Sequence, residues 1–432
     1  MTSFVNRCVA GLFLAACALL PFTPSIQAAA LACDPDNGGL KLPEGFCAFV
    51  AADGLGHARH MAVASNGDVY VSLQGARGGS GASGGVVALR DKDGDGRLET
   101  KEPIAQMSSA TGIALHNGYL YVVTPTSVVR YKMTPGTLKP TGAMETVVTG
   151  LEQQREHAEK GIAFDGKGSL YINIGAPSNA CQSRDRQAGV PGQDPCPLLE
   201  KHGGIWKFDE NKLNQTEDQG TRIATGLRQM PAVTWHDGAV YIVMNNRDSL
   251  DTLWPGKFTA EENATRQAEP MYRIQQGANY GWPYCFYDYK QKKLFLNPEY
   301  GGDGKTVGRC TQFSLPITAF PAHWAPVDVM FYTGKQFPAK YRNGAFIAFH
   351  GSWNRAPMPQ DGYNVTFQPF KNGKPSGEFE IFAQGFAGKS PLMSSNQAEA
   401  RADGVAQAPD GSLYICESQK GKVWRVIYKG GK

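Results

Sequence analysis

Six recurrences of one short hairpin pattern predict an all-β chain folded as a six-bladed β-propeller. Two observations support the recurrence: the copies cover most of the chain, and an apolar strand ahead of the first copy has a natural partner after the last. Each copy is a short apolar strand, a polar turn holding a glycine, and a second apolar strand, the signature of a tight β-hairpin. The copies are M-A-V-A-S-N-G-D-V-Y-V from Met61, G-I-A-L-H-N-G-Y-L-Y-V from Gly112, G-I-A-F-D-G-K-G-S-L-Y-I from Gly161, A-V-T-W-H-D-G-A-V-Y-I from Ala232, a degenerate V-D-V-M-F-Y-T-G with N-G-A-F-I-A from Val327, and G-V-A-Q-A-P-D-G-S-L-Y-I from Gly404. Aligning the turns places Gly67, Gly118, Gly168, Gly238, Gly344 and Gly411 in register. Strands this short cannot each bury a sheet face alone, whereas six small antiparallel sheets set radially around an axis can. The spacing widens in the second half, so insertions fall between the hairpins and not inside them.

Taken in order, the chain opens with Arg7, an apolar run over 9–20, Pro21 and the small residues Ala28, Ala29 and Ala30. These read as an export signal over residues 1–30, leaving 31–432 as a single propeller domain of a periplasmic or secreted protein. The apolar run is too short to span a bilayer. Leu14-Ala15-Ala16-Cys17 also resembles a lipoprotein box, which would place a lipid on Cys17. Of nine cysteines, Cys8 and Cys17 leave with the signal, and an oxidising compartment favours pairing Cys33 with Cys47, Cys181 with Cys196, and Cys285 with Cys310. Cys416 falls in the second strand of the last hairpin and reads as a buried free thiol. The run L-K-L-P-E-G-F-C-A-F-V over 40–50 is a strand expected to pair with 423–428 and so close the ring.

The net charge of +4, with no basic tract and no acidic run, excludes a nucleic-acid partner. No C-x-x-C-H stands in the chain, so there is no c-type haem signature. Residues 91–102 match the D-x-D-x-D-G-x5-E calcium loop, with Asp91, Asp93, Asp95 and Glu102 as oxygen ligands for a hard cation. A strand and not a helix precedes this loop, so a polar inter-strand turn is the alternative.

Propeller geometry converts repeat offsets into neighbourhoods, because the loops entering the innermost strands and those leaving the second strands open on one face. Arg59, His157, Lys160, Arg228, Arg401 and Asp403 stand ahead of turn glycines; the loops over 245–248, 350–355 and 417–420 join them. His157 is a candidate base, since imidazole exchanges a proton near neutrality. Cations gathered in one mouth imply an anionic ligand, and arginine suits carboxylates through its two-pronged fork.

The early L-P-E-G-F, the H-x-x-K before G-I-A-F-D, G-L-R-Q, N-N-R-D, Y-G-W-P-Y, H-G-S-W-N-R and A-P-D-G-S-L-Y together resemble the soluble quinoprotein sugar dehydrogenases, six-bladed propellers dependent on pyrroloquinoline quinone. The likeness spans nearly all of 31–432 and is strongest to the sorbosone and pyranose dehydrogenase branches. It implies His157 as general base, Arg228, Arg355, Arg401, Lys160 and Lys420 as quinone-binding cations, and a calcium ion at Asn246, Arg247 and Asp248 that polarises the quinone. A sugar substrate and an unidentified electron acceptor are implied with them. The chain departs from the family pattern at Lys160, where an arginine is expected, at Gln229, often asparagine, and at Asn246-Arg247. A calcium-dependent lactonase and a non-enzymatic binding propeller are the alternative classes.

Overall fold

The computed structural model describes residues 1–4, 31–75 and 84–430. The export signal and the lipoprotein box around Cys17 lie outside the described residues.

Among the described residues the strands form six blades, each an antiparallel sheet of at least four strands. Blade 1 comprises Ala58–Val63, Val69–Leu73, Gly84–Arg90 and Thr100–Met107; blade 2 comprises Ile113–His116, Tyr119–Val123, Val128–Lys132 and Met144–Val148. Blade 3 comprises Ile162–Phe164, Ser169–Ile174, Gly204–Asp209 and Thr221–Thr225, with Ala278–Asn279 added in parallel at its edge. Blade 4 comprises Gln229–His236, Ala239–Asn245, Glu269–Arg273 and Thr318–Phe320; blade 5 comprises Pro326–Phe331, Ala345–His350, Tyr363–Gln368 and Glu380–Ala383. In blade 6, Ala402–Gln407, Leu413–Glu417 and Val423–Tyr428 are completed by Phe46–Ala52 from the start of the fold. The innermost strands touch in succession, 1 to 2 and on through 6 back to 1. They surround an axial cavity of about 350 Å³ lined by His60, Ile113, Ile162, Val233, Val329 and Val405, one residue from each blade.

Strand position decides the residue pattern. The second strands lie between neighbours on both faces and are largely apolar, as in Leu413–Glu417, buried throughout. The outer strand Thr100–Met107 has one wet face and alternates accordingly. Asn117-Gly118 and Asp237-Gly238 have both turn residues at positive φ (47° and 77°; 43° and 75°), the two-residue turn that matches the twist of its strands. Gly344 departs from this rule. It is Asn343 that takes the left-handed conformation, at φ 60°, while a Cβ on Gly344 would lie 2.1 Å from the Phe367 ring, so this glycine answers to packing.

The ring closes as the sequence predicts: Phe46 opposes Tyr428 and Ala52 opposes Val423 in an antiparallel ladder. Phe46 also plugs the seam between blades 5 and 6, its ring 4.8 Å from Phe337, 5.2 Å from Tyr341 and 5.0 Å from Phe382. The three disulfides are Cys33–Cys47, Cys181–Cys196 and Cys285–Cys310, with Cys416 a buried thiol donating to Arg59 O at 2.9 Å. The last two bonds staple long insertions after the second strand of blade 3 and the third strand of blade 4, which share an apolar cluster around Trp282. Phe46→Ala empties this seam and is expected to cost about 3–5 kcal/mol of stability, measured by denaturant titration. A loss below about 1 kcal/mol would mean that the ring holds without this contact.

Candidate functional site

The inward-facing polar groups gather at the end of the propeller away from the six hairpin turns. His157 sits there on the segment between blades 2 and 3, in the left-handed conformation at φ 57°, a costly state for a residue with a Cβ. Its surroundings impose it. Gln154, itself buried, donates Nε2 to the carbonyls of Glu156, His157 and Gly175 at 2.8, 2.9 and 3.1 Å. Gly175 admits the loop because a Cβ there would lie 2.5 Å from Gln229 Oε1 and 2.7 Å from His157 O. His157 Nδ1 lies 2.5 Å from Ala176 O. A carbonyl can only accept, so Nδ1 carries the proton and Nε2 keeps its lone pair. Burial, then the nearby Arg228 charge, push the imidazolium down to about 4, which keeps the ring neutral at ordinary pH.

Asp248, on the loop leaving the second strand of blade 4, is the hub of the site. Its Oδ2 accepts from Arg228 Nη2 at 2.7 Å and Arg186 Nη2 at 3.0 Å, and its Oδ1 accepts from Asn354 Nδ2 at 2.8 Å. His323 Nδ1 stands 3.9 Å from Oδ1. Burial by itself would raise this carboxyl, but Arg228 and Arg186 prevail and hold it well below the usual range. The fully buried Asn179 accepts at Oδ1 from both Arg228 Nη2 at 3.1 Å and Asp248 N at 2.8 Å, which fixes the two partners in register.

On the far side of the axis Arg59 Nη1 meets Asp403 Oδ2 at 2.8 Å, with His350 Nε2 at 3.5 Å. Burial raises the Asp403 carboxyl to about 7, against the opposing pull of Arg59. Arg401 donates Nε to His350 O at 2.8 Å and Nη2 to Gly351 O at 2.6 Å. Arg355 commits Nε and Nη1 to the carbonyls of Pro359 and Ala264 at 3.1 and 2.9 Å, bracing its loop. The buried Lys160 aims its ammonium at Pro125 O and Ala158 O, at 2.8 and 3.0 Å, and burial lowers it to about 8. Lys420 is exposed at the rim.

The loop at 246–248 is already engaged. Asn246 O accepts from Arg228 at 2.8 Å, Asp248 O accepts from Asn179 at 3.1 Å and Arg247 Nη2 at 3.0 Å, and Arg247 is locked in a fully buried pair with Glu299 at 2.5 Å. A calcium ion at Asn246, Arg247 and Asp248 would share the Asn246 and Asp248 carbonyl oxygens with the donors they already meet. Other atoms are unfulfilled: among the described residues Arg59 Nε, Arg186 Nη1, Arg228 Nε, Gln229 Oε1, Asn354 Oδ1 and Asp403 Oδ1 are buried without a hydrogen-bond partner. Buried orphans of this kind are costly unless a ligand or water meets them.

Arg186, Asn179 and His323 escaped the sequence reading. Arg186 and Asn179 lie on the loop leaving the second strand of blade 3, so the rule that selected 245–248 would have selected them too. His323 carried no signal, because it follows an insertion of irregular length.

Away from the axis, Asp91, Asp93 and Asp95 do converge, their ligand atoms within 4.8 Å of one another, but the fourth carboxylate is Glu99. Glu102 lies on the strand Thr100–Met107 and pairs with Lys139 at 3.0 Å instead. A loop that runs into a strand, where an EF-hand would run into a helix, carries its twelfth position away from the first five.

The fold is a six-bladed propeller with a cluster of polar, partly buried side chains at one end of its axis. The chain belongs to the TrAA12-like family, whose model matches residues 40–429. Its fold is similar to the iodide structure of the family AA12 carbohydrate-active enzyme of Trichoderma reesei, with TM-score 0.73 and 20% identity over 90% of this chain and 98% of that one. It is also similar to the holo form of the quinone (PQQ) domain of Coprinopsis cinerea pyranose dehydrogenase, with TM-score 0.71 and 18% identity over 90% and 97% of the two chains. Among curated proteins it is 27% identical over 278 residues to an uncharacterised protein of Borreliella burgdorferi, covering 63% of this chain and 61% of that protein. It is 25% identical over 280 residues to the pyrroloquinoline quinone-dependent pyranose dehydrogenase of Coprinopsis cinerea, covering 56% of this chain and 37% of that one.

Two outcomes test this geometry. Asp248→Ala leaves the buried Arg228 uncompensated and is expected to cost about 3–5 kcal/mol by denaturant titration at pH 7. Because the folded carboxyl is depressed, its contribution is complete above the unfolded carboxylate range and lost as pH falls toward the folded value, so the difference between variant and wild type shrinks in acid. At the outer loop, calcium is expected to raise the melting temperature of the wild type and not of Asp93→Ala; equal shifts would make the loop a plain turn.

Proposed function

We propose that this protein is a pyrroloquinoline quinone-dependent sugar dehydrogenase, oxidising an aldose, a ketose-derived aldehyde such as sorbosone, or a related alcohol. The observation that carries the reading is a neutral imidazole with one nitrogen locked to a backbone carbonyl and the other left basic, beside guanidinium groups with unfulfilled donors. The buried orphans fit such a cofactor and its substrate: Arg228 Nε and Arg59 Nε suit carboxylate and carbonyl oxygens of the quinone, while Gln229 Oε1 and Asn354 Oδ1 suit hydroxyl donors of the sugar. Arg228 and Arg401 would hold the quinone, with Arg355, Lys160 and Lys420 shaping the loops and charge around it. The chemistry that the bound quinone supplies is acceptance of a hydride from carbon.

The chain's own contribution is to hold and move a proton. His157 Nε2 takes the hydroxyl proton of the substrate as the carbon gives up hydride, and the bond from Nδ1–H to Ala176 O keeps the ring aimed while its positive charge develops. Arg228 is anchored by Asp248, Asn179 and Asn246, so its charge is in place before substrate arrives. The Asn246 and Asp248 carbonyl oxygens would be the groups of this loop able to hold a calcium ion beside the quinone. Three disulfides support an oxidising, periplasmic or extracellular location. Among the described residues no helix is long and apolar enough to cross a membrane. The electron acceptor is a separate partner of unspecified chemistry.

His157→Ala is expected to keep quinone affinity, measured by titration, and to lose about 10²-fold or more in dye-linked turnover with a panel of aldoses. Near-normal turnover in the variant, or no quinone uptake by the wild type, would refute the reading. The neutral form of His157 is the base and is lost only as pH approaches about 4, so kcat/KM should hold well below the free-imidazole range before falling. A limb at the ordinary histidine value of about 6.5 would exclude His157 in this state.

A further inference from the structure

We infer that Arg186 is a substrate-contacting, specificity-determining residue that donates Nη1 to an uncharged oxygen of the sugar, a hydroxyl or the ring oxygen. The inference rests on the dehydrogenase reading and adds to it a residue that none of the shared motifs contains.

Arg186 and Arg228 approach the same atom, Asp248 Oδ2, from opposite sides of a burial gradient. The Arg228 side chain is 3% exposed and that of Arg186 is 27% exposed. Arg186 is therefore the nearer of the two guanidinium groups to the surface, although its Nη1 atom is itself buried. Arg186 is held on three sides, Nη2 by Asp248 at 3.0 Å and Glu156 at 3.3 Å, and Nε by Asp185 at 3.5 Å. Asp185 is fixed in turn, accepting from Ser178 Oγ at 2.6 Å and Asn179 N at 2.8 Å. The loop around it is closed by Cys181–Cys196, and Gln182 Nε2 ties it at Gln187 O and Val190 O, at 2.7 and 2.6 Å. Glu156 precedes His157, so the same contact joins Arg186 to the segment that carries the base.

Of the three nitrogens of this guanidinium, Nη1 is the one that is buried with no hydrogen-bond partner among the described residues. Three carboxylates already balance this guanidinium, and their field opposes a further anion at Nη1. A hydroxyl or ether oxygen meets the donor without that penalty. A buried donor left empty by a substrate lacking that oxygen is the arrangement that discriminates most strongly.

The test uses Arg186→Met and Arg186→Lys in quinone-loaded protein, with a good aldose and its monodeoxy analogues as probes. Both variants are expected to raise KM about tenfold or more while leaving kcat within about threefold, to keep quinone affinity by titration, and to lose discrimination against one deoxy analogue. Arg186→Lys keeps a charge beside Asp248 and Glu156 without the second terminal nitrogen, so it still decides the matter if Arg186→Met melts early. Unchanged KM and unchanged discrimination overturn the assignment, as does weakened quinone affinity at unchanged KM. A wild type that binds quinone yet oxidises no sugar overturns the dehydrogenase reading, and this assignment with it; a wild type that turns over beside indifferent variants overturns the assignment alone.

Discussion

The antiparallel ladder between Phe46–Ala52 and Val423–Tyr428 is the constraint on which the rest depends. Every blade presents two apolar faces and can bury both only between two neighbours, so an open ring would leave two faces and a strand edge in water. Closure also fixes the axis, and the axis brings loops from six distant parts of the chain to one place. Arg59 and Asp403 meet across the join between the first and last blades, so that pair exists only in a closed ring.

At the site, cations and anions are interleaved. Glu156, Arg186, Asp248 and Arg228 form a run of alternating charge whose members are further pinned by Asn179 and Asn354. Such a chain holds buried arginines where isolated ones would be expelled, because each charge leaving water is met by its opposite. It also limits what the arginines can still bind: their unfulfilled donors, and not their formal charges, define the recognition surface.

The fold was legible because its signals are local and repeated. Apolar runs, Asn-Gly and Asp-Gly turns, and the strand read at 40–50, which the structure starts at Phe46 and ends at Ala52, each carry their meaning in a few neighbouring residues. His157, Arg228, Asp248 and Arg401 could be placed on one face from loop offsets alone. What could not be read was direction. Lys160 occupies a position beside the site, yet its ammonium points to Pro125 O, a choice of rotamer that no spacing encodes. Glu102 satisfied a linear motif, but the strand starting at Thr100 carries it to Lys139, leaving Glu99 with the aspartates. Asn246 and Arg247 were placed by resemblance although they depart from the family pattern, and their engagement by Ala268, Arg228 and Glu299 depends on insertions whose packing no repeat predicts.

The disulfides close loops between cysteines separated by only 14, 15 and 25 positions. Each bond joins a cysteine to the next one along the chain, so a polypeptide oxidised as it emerges reaches the native connectivity by pairing successive thiols. Among the described residues the one unpaired thiol, Cys416, follows all three pairs in the chain and is sealed between its own blade and the innermost strand of blade 1, where it donates to Arg59 O. Oxidative maturation can therefore proceed in strict sequence order without thiol shuffling, and the ring is free to close last on a chain whose cross-links are already correct.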